Sequence, residues 1–161
     1  MFRFDWDEAM VGYSLALVGI IVAVHWITFF GAIKASNVSV ALGCMASATL
    51  FTSFLEPLFD KVRIAVSEVV LGLVIIVGLY VITQFALDYW EGIILALISA
   101  FLAALFGVMN KQLVRKHDAS VVSMYEMIAG FVFIALYFTF TQSISVLPHE
   151  IPAMDGIYLL I

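Results

Sequence analysis

Apolar residues run through this chain in long unbroken stretches, and polar residues gather in the gaps between them. Five such stretches stand out: Met10 to Ile33, Ser36 to Leu55, Val66 to Phe85, Gly92 to Asn110 and Ser120 to Gln142. Each is close to the ~20 residues that a helix needs to cross ~30 Å of hydrocarbon. A β-barrel, the other way to satisfy backbone groups in lipid, is built from ~10-residue alternating segments. These runs are too continuous and too long for that. The pattern predicts an all-α fold, a polytopic transmembrane helix bundle. Its short connections (Lys34-Ala35, Pro57 to Ala65, Ala86 to Glu91) require sequential helices to run antiparallel. Residues 1–9 form an N-terminal segment, 10–85 three helices, 86–91 a loop and 92–142 two more helices. After Pro148 and Pro152, the run from Gly156 to Ile161 reads as the truncated start of a further helix.

Composition strengthens this picture. Of 161 residues, 65% are hydrophobic and 12% charged, where a soluble domain carries about a quarter charged. The mean hydropathy of +1.15 agrees. A soluble domain of this length lacks the interior to hide so much apolar surface, so the lipid bilayer is the expected partner. The net charge of −5 changes little, because many of the acids fall in terminal segments and short loops. With no run of Lys and Arg interleaved with aromatics, a nucleic-acid partner is not expected. The basic residues do orient the chain: Arg3, Lys61, Arg63, Lys111, Arg115 and Lys116 share one face and Lys34 stands alone on the other. By the positive-inside rule the N-terminus is cytoplasmic, the 86–91 and 143–161 segments are external, and the expected location is the inner or plasma membrane.

Between membrane helices, packing depends on small residues, which let backbones approach closely. Gly92, Ala96, Ser99, Ala103, Gly107 and Asn110 follow one another at spacings of three or four, predicting a packing seam along one helix. Gly12, Ala16, Gly19 and Ala23 form a similar line, as do Asn37, Ala41, Cys44, Ala48, Thr52 and Glu56. Two ionisable groups lie inside helices. His25 is either a ligand facing a wet cavity, shared with Thr28 one turn on, or a neutral ring bonded to a neighbouring helix. Glu126, roughly 8–10 Å inside the boundary, is either a proton- or cation-binding carboxylate or an acid reaching back to Lys111, Arg115 or water. Glu56 and Glu68 read as boundary ion pairs with Lys61 and Arg63. Asn37-Val38-Ser39 matches a glycosylation acceptor but opens a membrane helix, so it reads as coincidental.

Chemistry-bearing motifs are missing from the sequence: it holds no HExxH, no Gly-x-Ser-x-Gly and no phosphate-binding glycine loop. His25, His117 and His149 fall in separate segments without metal-ligand spacing. No enzyme activity, metal or cofactor is therefore expected.

The run from His25-Trp26-Ile27-Thr28 through Lys34-Ala35-Ser36-Asn37 to Ala41 resembles the third helix, tight turn and fourth helix of EamA-type transporters, in the drug/metabolite transporter (DMT) superfamily. Glu68-Val69-Val70-Leu71-Gly72-Leu73 to Gly78-Leu79-Tyr80 is similar to the family's fifth helix, and Gly92 through Leu113 to its sixth. The resemblance spans about Gly12 to Thr141. Where the family's fourth helix often carries a proline, Thr49 falls near that place. The resemblance implies a ten-helix transporter of two inverted five-helix repeats, of which this chain is an internal piece covering helices three to seven. It implies a substrate path between the repeats, to which His25, Trp26, Thr28, Ser47 and Thr49 contribute from the first and Ser99, Tyr125 and Glu126 from the second. The expected activity is alternating-access transport of a small organic metabolite or drug-like solute, coupled to protons or uncoupled. The missing helices or a homodimer partner would complete the bundle. Two rivals stand beside it: a non-transporting assembly subunit, and an intramembrane lipid-modifying enzyme.

Overall fold

The computed structural model describes residues 6–60, 66–84 and 87–141. Arg3, Lys61, Arg63 and the 143–161 segment lie outside the described residues. The described residues are almost all helical: α1 (Trp6–Ala35), α2 (Val38–Met45), α3 (Ala48–Asp60), α4 (Val66–Gln84), α5 (Trp90–Val114) and α6 (Ala119–Thr141). A single 3₁₀ turn, Leu87–Tyr89, leads into α5, and no strand occurs among the described residues. Among the described residues, four segments are long and apolar enough to cross a membrane: Val11–Ala35, Val38–Asp60, Trp90–Val114 and Ala119–Thr141. The chain is an integral membrane helix bundle. Five crossings were expected. The third apolar stretch instead forms a helix that is apolar over the shorter Val66–Val81, and a bilayer accommodates such a helix by thinning or by snorkelling of its flanks.

The second apolar stretch is not one helix but two. At the break, the Ser47 amide and hydroxyl both donate to the Cys44 carbonyl, at 3.0 and 2.6 Å. The Thr49 hydroxyl donates to the Ala46 carbonyl at 2.9 Å. Ser and Thr side chains compete with amides for helix carbonyls, and two within three residues interrupt the ladder without a proline. The turn before α2 is equally local. Ser36 donates both its amide and its hydroxyl to Ala32 O, and Asn37, in an extended conformation (φ −156°, ψ 169°), accepts from the Val40 amide at 2.9 Å. Asn37 is thus a helix N-cap, which accounts for its place in the sequence.

Helix directions follow from who meets whom. Along α1 and α5, His25 meets Ser99, Gly31 meets Leu95 and Ser36 meets Gly92, so the two run antiparallel. Phe51 meets Phe101, Glu56 meets Lys111 and Asp60 meets Arg115, so α3 runs parallel to α5. Gly19 lies against Glu126 and Gly130, and Gly130 against Ala23, so α6 follows α1. Gly72 of α4 faces Leu50 of α3. Helix α5 is therefore central, with α1 on one side and α2–α3 on the other. Helices α4 and α6 lie outside, and side chains such as Val70, Val74, Phe131 and Phe140 are exposed where lipid would be.

The seam on α5 drifts from the expected line. Gly92, Ala96 and Ser99 are buried as expected, but burial then continues through Ala100, Ala104 and Val108. Ala103 is half-buried and Gly107 exposed. Steps of four overshoot the 3.6-residue turn, and α5's contact passes from α1 to α3 as it descends. On α1, Gly19 lies in a close contact, whereas a methyl group at Gly12 would meet nothing within 4 Å.

A Cβ at Gly19 would come within 2.5 Å of the Glu126 carbonyl and 2.8 Å of Ala129 Cβ. Gly19→Ala is expected to destabilise the bundle by about 1–3 kcal/mol relative to Gly12→Ala, since both gain the same helix propensity and one overpacks. Reversible denaturant unfolding of the two variants in mixed micelles checks this.

Candidate functional site

Four polar constellations and one cavity hold what chemistry the described residues offer. In the first, α1 is tied to α5. The His25 ring donates from Nδ1 to the Ser99 carbonyl at 2.9 Å, and Ser99 Oγ donates to the His25 carbonyl at 3.0 Å. Both side chains are buried, and the imidazole stacks on Phe29 and meets Phe106 and Trp26 edges. A neutral ring with Nδ1 protonated satisfies the whole arrangement. Of the two readings for His25, the geometry matches the interhelical bond. Thr28 turns its hydroxyl back to Val24 O and His25 O on its own helix.

The second constellation joins α5 to α6. Asn110 Nδ2 donates to Glu126 Oε2 at 3.2 Å, and Glu126 is 3% exposed. Glu126 Oε1 and Asn110 Oδ1 are both buried without a hydrogen-bond partner among the described residues. Glu126 does not reach Lys111 or Arg115, because both cations are engaged elsewhere.

They are engaged in the third, which ties α3 to the lower half of α5. Asp60 accepts from Lys111 at 2.8 Å and from Arg115 at 2.7 Å, and also from the Gln112 carboxamide. Lys111 reaches Glu56 as well, at 2.9 Å. The Asp60 side chain is 5% exposed, well covered for a residue that sequence reasoning left in a loop. Its signal was there: Lys111, Gln112 and Arg115 share one helical face, and a parallel α3 ends beside them.

In the fourth, at the α5–α6 turn, Asp118 Oδ1 accepts from the Ser120 amide at 2.9 Å and caps α6.

The cavity lies between α3 and α4, with a volume of about 630 Å³. Its walls are apolar: Leu50, Leu71, Val74, Ile75, Ala103 and Ala104. Thr49, Thr52 and Ser53 line it, but their hydroxyls bond to carbonyls of α2–α3 at Ala46, Ala48 and Thr49. Glu56 and Glu68 enter it from the Asp60 end. Glu68 makes no hydrogen bond or ion pair among the described residues, unlike Glu56.

The eight expected path residues are not gathered in one place. Thr49 lines the cavity. Tyr125, which is exposed, lines a second hollow of about 930 Å³ between α1 and the α5–α6 turn. His25 and Ser99 bind each other, Glu126 binds Asn110, and Ser47 is buried with its hydroxyl on Cys44 O. Trp26 faces outward, stacked on Phe30. Sequence reasoning missed Asn110 as a partner of Glu126, although each lies eight residues from Asp118 at the turn. An antiparallel pair brings such positions level. Compared with protein-family models, with curated proteins and with solved structures, the chain matches none.

Two outcomes follow. A double-mutant cycle on His25→Phe and Ser99→Ala is expected to give a coupling of about 0.6–1.7 kcal/mol, the range for interhelical hydrogen bonds in membranes. Asp60→Asn is expected to destabilise more than Glu56→Gln, because it strands Arg115 and takes one of Lys111's two partners, whereas Glu56→Gln leaves both cations paired with Asp60. Unfolding midpoints of the two single variants, measured side by side, check that order.

Proposed function

We propose that this chain is part of a secondary transporter for small organic solutes, and that the cavity between α3 and α4 belongs to its solute path. The carrying observation is that cavity: about 630 Å³ of apolar wall with one carboxylate, Glu68, that has no partner among the described residues. Small-molecule sites are typically ~300–1,000 Å³, mostly apolar, with a few placed polar groups. An apolar wall with a free carboxylate suits an amine-bearing or quaternary ammonium solute. In a setting of low dielectric, the charge contact is worth more than it would be in water.

The resemblance to EamA-type transporters supports the same reading and supplies its architecture. Under it, α1 to α6 furnish part of a ten-helix inverted repeat, with the Asp60 end cytoplasmic. The break between α2 and α3 falls beside Thr49, near where that family's fourth helix often carries a proline. The ion-pair cluster of Asp60 with Lys111 and Arg115 then acts as the contact that holds α3 against α5 at the inner face. A transporter opening at that end would have to part it. The exposed apolar faces of α4 and α6 favour a second reading, an assembly subunit that docks through them.

Flux of labelled tetraethylammonium into proteoliposomes carrying the chain tests the proposal. Saturable uptake is expected, with the half-saturating concentration raised about five- to tenfold in Glu68→Gln, the loss of one buried charge contact. A stable oligomer with no saturable flux of this cation or of a neutral or anionic organic panel would overturn transport in favour of the assembly reading.

A further inference from the structure

We infer that Glu126 and Asn110 form a proton-binding site: a carboxylic acid facing a carboxamide, buried between α1, α5 and α6. The observation is a matched pair of defects. Glu126 Oε1 and Asn110 Oδ1 are both buried and lack partners among the described residues, and they belong to the two groups already joined by the 3.2 Å bond from Asn110 Nδ2 to Glu126 Oε2. An ionised carboxylate only accepts, so it leaves both oxygens orphaned. Adding one proton to Oε1 removes the negative charge and creates one donor, and the unsatisfied Asn110 Oδ1 is an acceptor in want of one. Carboxylic acid and carboxamide are complementary in this way, each giving one hydrogen and taking one.

The surroundings offer the carboxylate no alternative compensation. On α1, whose Gly19 packs against the Glu126 backbone carbonyl, no Asp, Glu, Lys or Arg occurs between Glu8 and Lys34. On α5, Lys111 is adjacent in sequence but binds Glu56 and Asp60 on α3, and Arg115 binds Asp60. On α6, Tyr125 is exposed. Lys116 and His117 line the 930 Å³ hollow one turn away, which also contains Leu15 and Val122. On α6 that hollow is lined by Val121, Val122 and Tyr125, the last adjacent to Glu126 in sequence. The proton comes from hydronium, whose O–H bond breaks to leave a water molecule as the Oε1–H bond forms.

The site is read independently of flux, but its role as the coupling site rests on the transporter proposed above. Because Glu126 sits where α6 meets Gly19, losing its proton would place an unpaired charge in the α1–α6 contact. Protonation state and helix packing are thereby linked.

Infrared spectroscopy of the full chain in nanodiscs at pH 7 tests the site. A carboxylic C=O stretch, separated from the carboxylate bands, is expected in the wild type and in Glu68→Gln alike, because the other described acids are exposed or ion-paired and Glu68 is only half-buried. It should be absent in Glu126→Gln and displaced in frequency in Asn110→Leu, which removes the carboxamide. Raising the pH should abolish the band. A wild type with no protonated carboxyl at pH 7 overturns the inference, and so does a band indifferent to Asn110→Leu. Where Glu126→Gln does not fold, wild type and Asn110→Leu alone decide. A protein that shows the band and no flux keeps the proton site and loses the transporter.

Discussion

Helix α5 touches α1, α2 and α3 at once because its buried face carries almost nothing to keep them away. Gly92, Ala96, Ser99, Ala100 and Ala104 are the buried residues down most of its length, with Val108 the first larger one. In water a helix so poor in bulk would bury too little to hold a core. In lipid the balance differs, since tails solvate Leu as well as another helix does, and close backbone approach gains dispersion contacts that lipid cannot match. The large residues accordingly stand outside. The α1–α6 contact repeats the device with Gly19 against Gly130, where a Cβ on Gly130 would lie 3.1 Å from Gly19 O.

Close packing of small residues is not directional, and a bundle held by it alone could slide in register. The polar pairs supply the register. His25 and Ser99 exchange side-chain and backbone bonds across α1 and α5, Asn110 fixes the height of Glu126 on α6, and Asp60 pins α3 to the foot of α5. Two of the three join helices far apart in sequence, His25 and Ser99 at a separation of 74 and Asp60 and Arg115 at 55, while Asn110 and Glu126 join consecutive helices. The hydroxyls that do not cross between helices turn back onto their own carbonyls, as Thr28, Thr52 and Ser53 do. Every polar side chain in the membrane needs a partner, and in this chain only a few of them find one on another helix.

Hydrophobic run length made the helices legible, because a 20-residue apolar stretch has few other uses, and antiparallel neighbours followed from short loops. The Ser47–Thr49 break was not legible in that way. Apolarity is continuous through it, and what interrupts the helix is hydroxyl competition at two positions, a signal far weaker than proline. Along the α5 seam Gly92, Ala96 and Ser99 are buried, Ala103 is half-buried and Gly107 exposed, since a line of small residues cannot say which neighbour it meets or when the neighbour changes. Site residues were the least legible. His25 and Glu126 stood out as intramembrane ionisable groups, but their partners Ser99 and Asn110 had been placed in a packing stripe. A polar residue within a small-residue seam serves both ends, and only the pairing of helices reveals the second.

Asp60 and Glu126 show how much placement decides. Both are acids near the same end of the bundle, and both are well covered. Asp60 faces an ammonium, a guanidinium and a carboxamide on one face of α5, so three donors meet its two oxygens and the charge is stable where it is. Glu126 faces the opposite side of that helix, where the same descending turn presents Asn110. A carboxamide gives one hydrogen and asks for one in return. Charge therefore suits the first site and a neutral acid the second, and the difference is set by the rotation of α5 between Asn110 and Lys111. A chain that places its fixed charges on one side of its central helix and a proton-accepting acid on the other has separated what must hold from what can change.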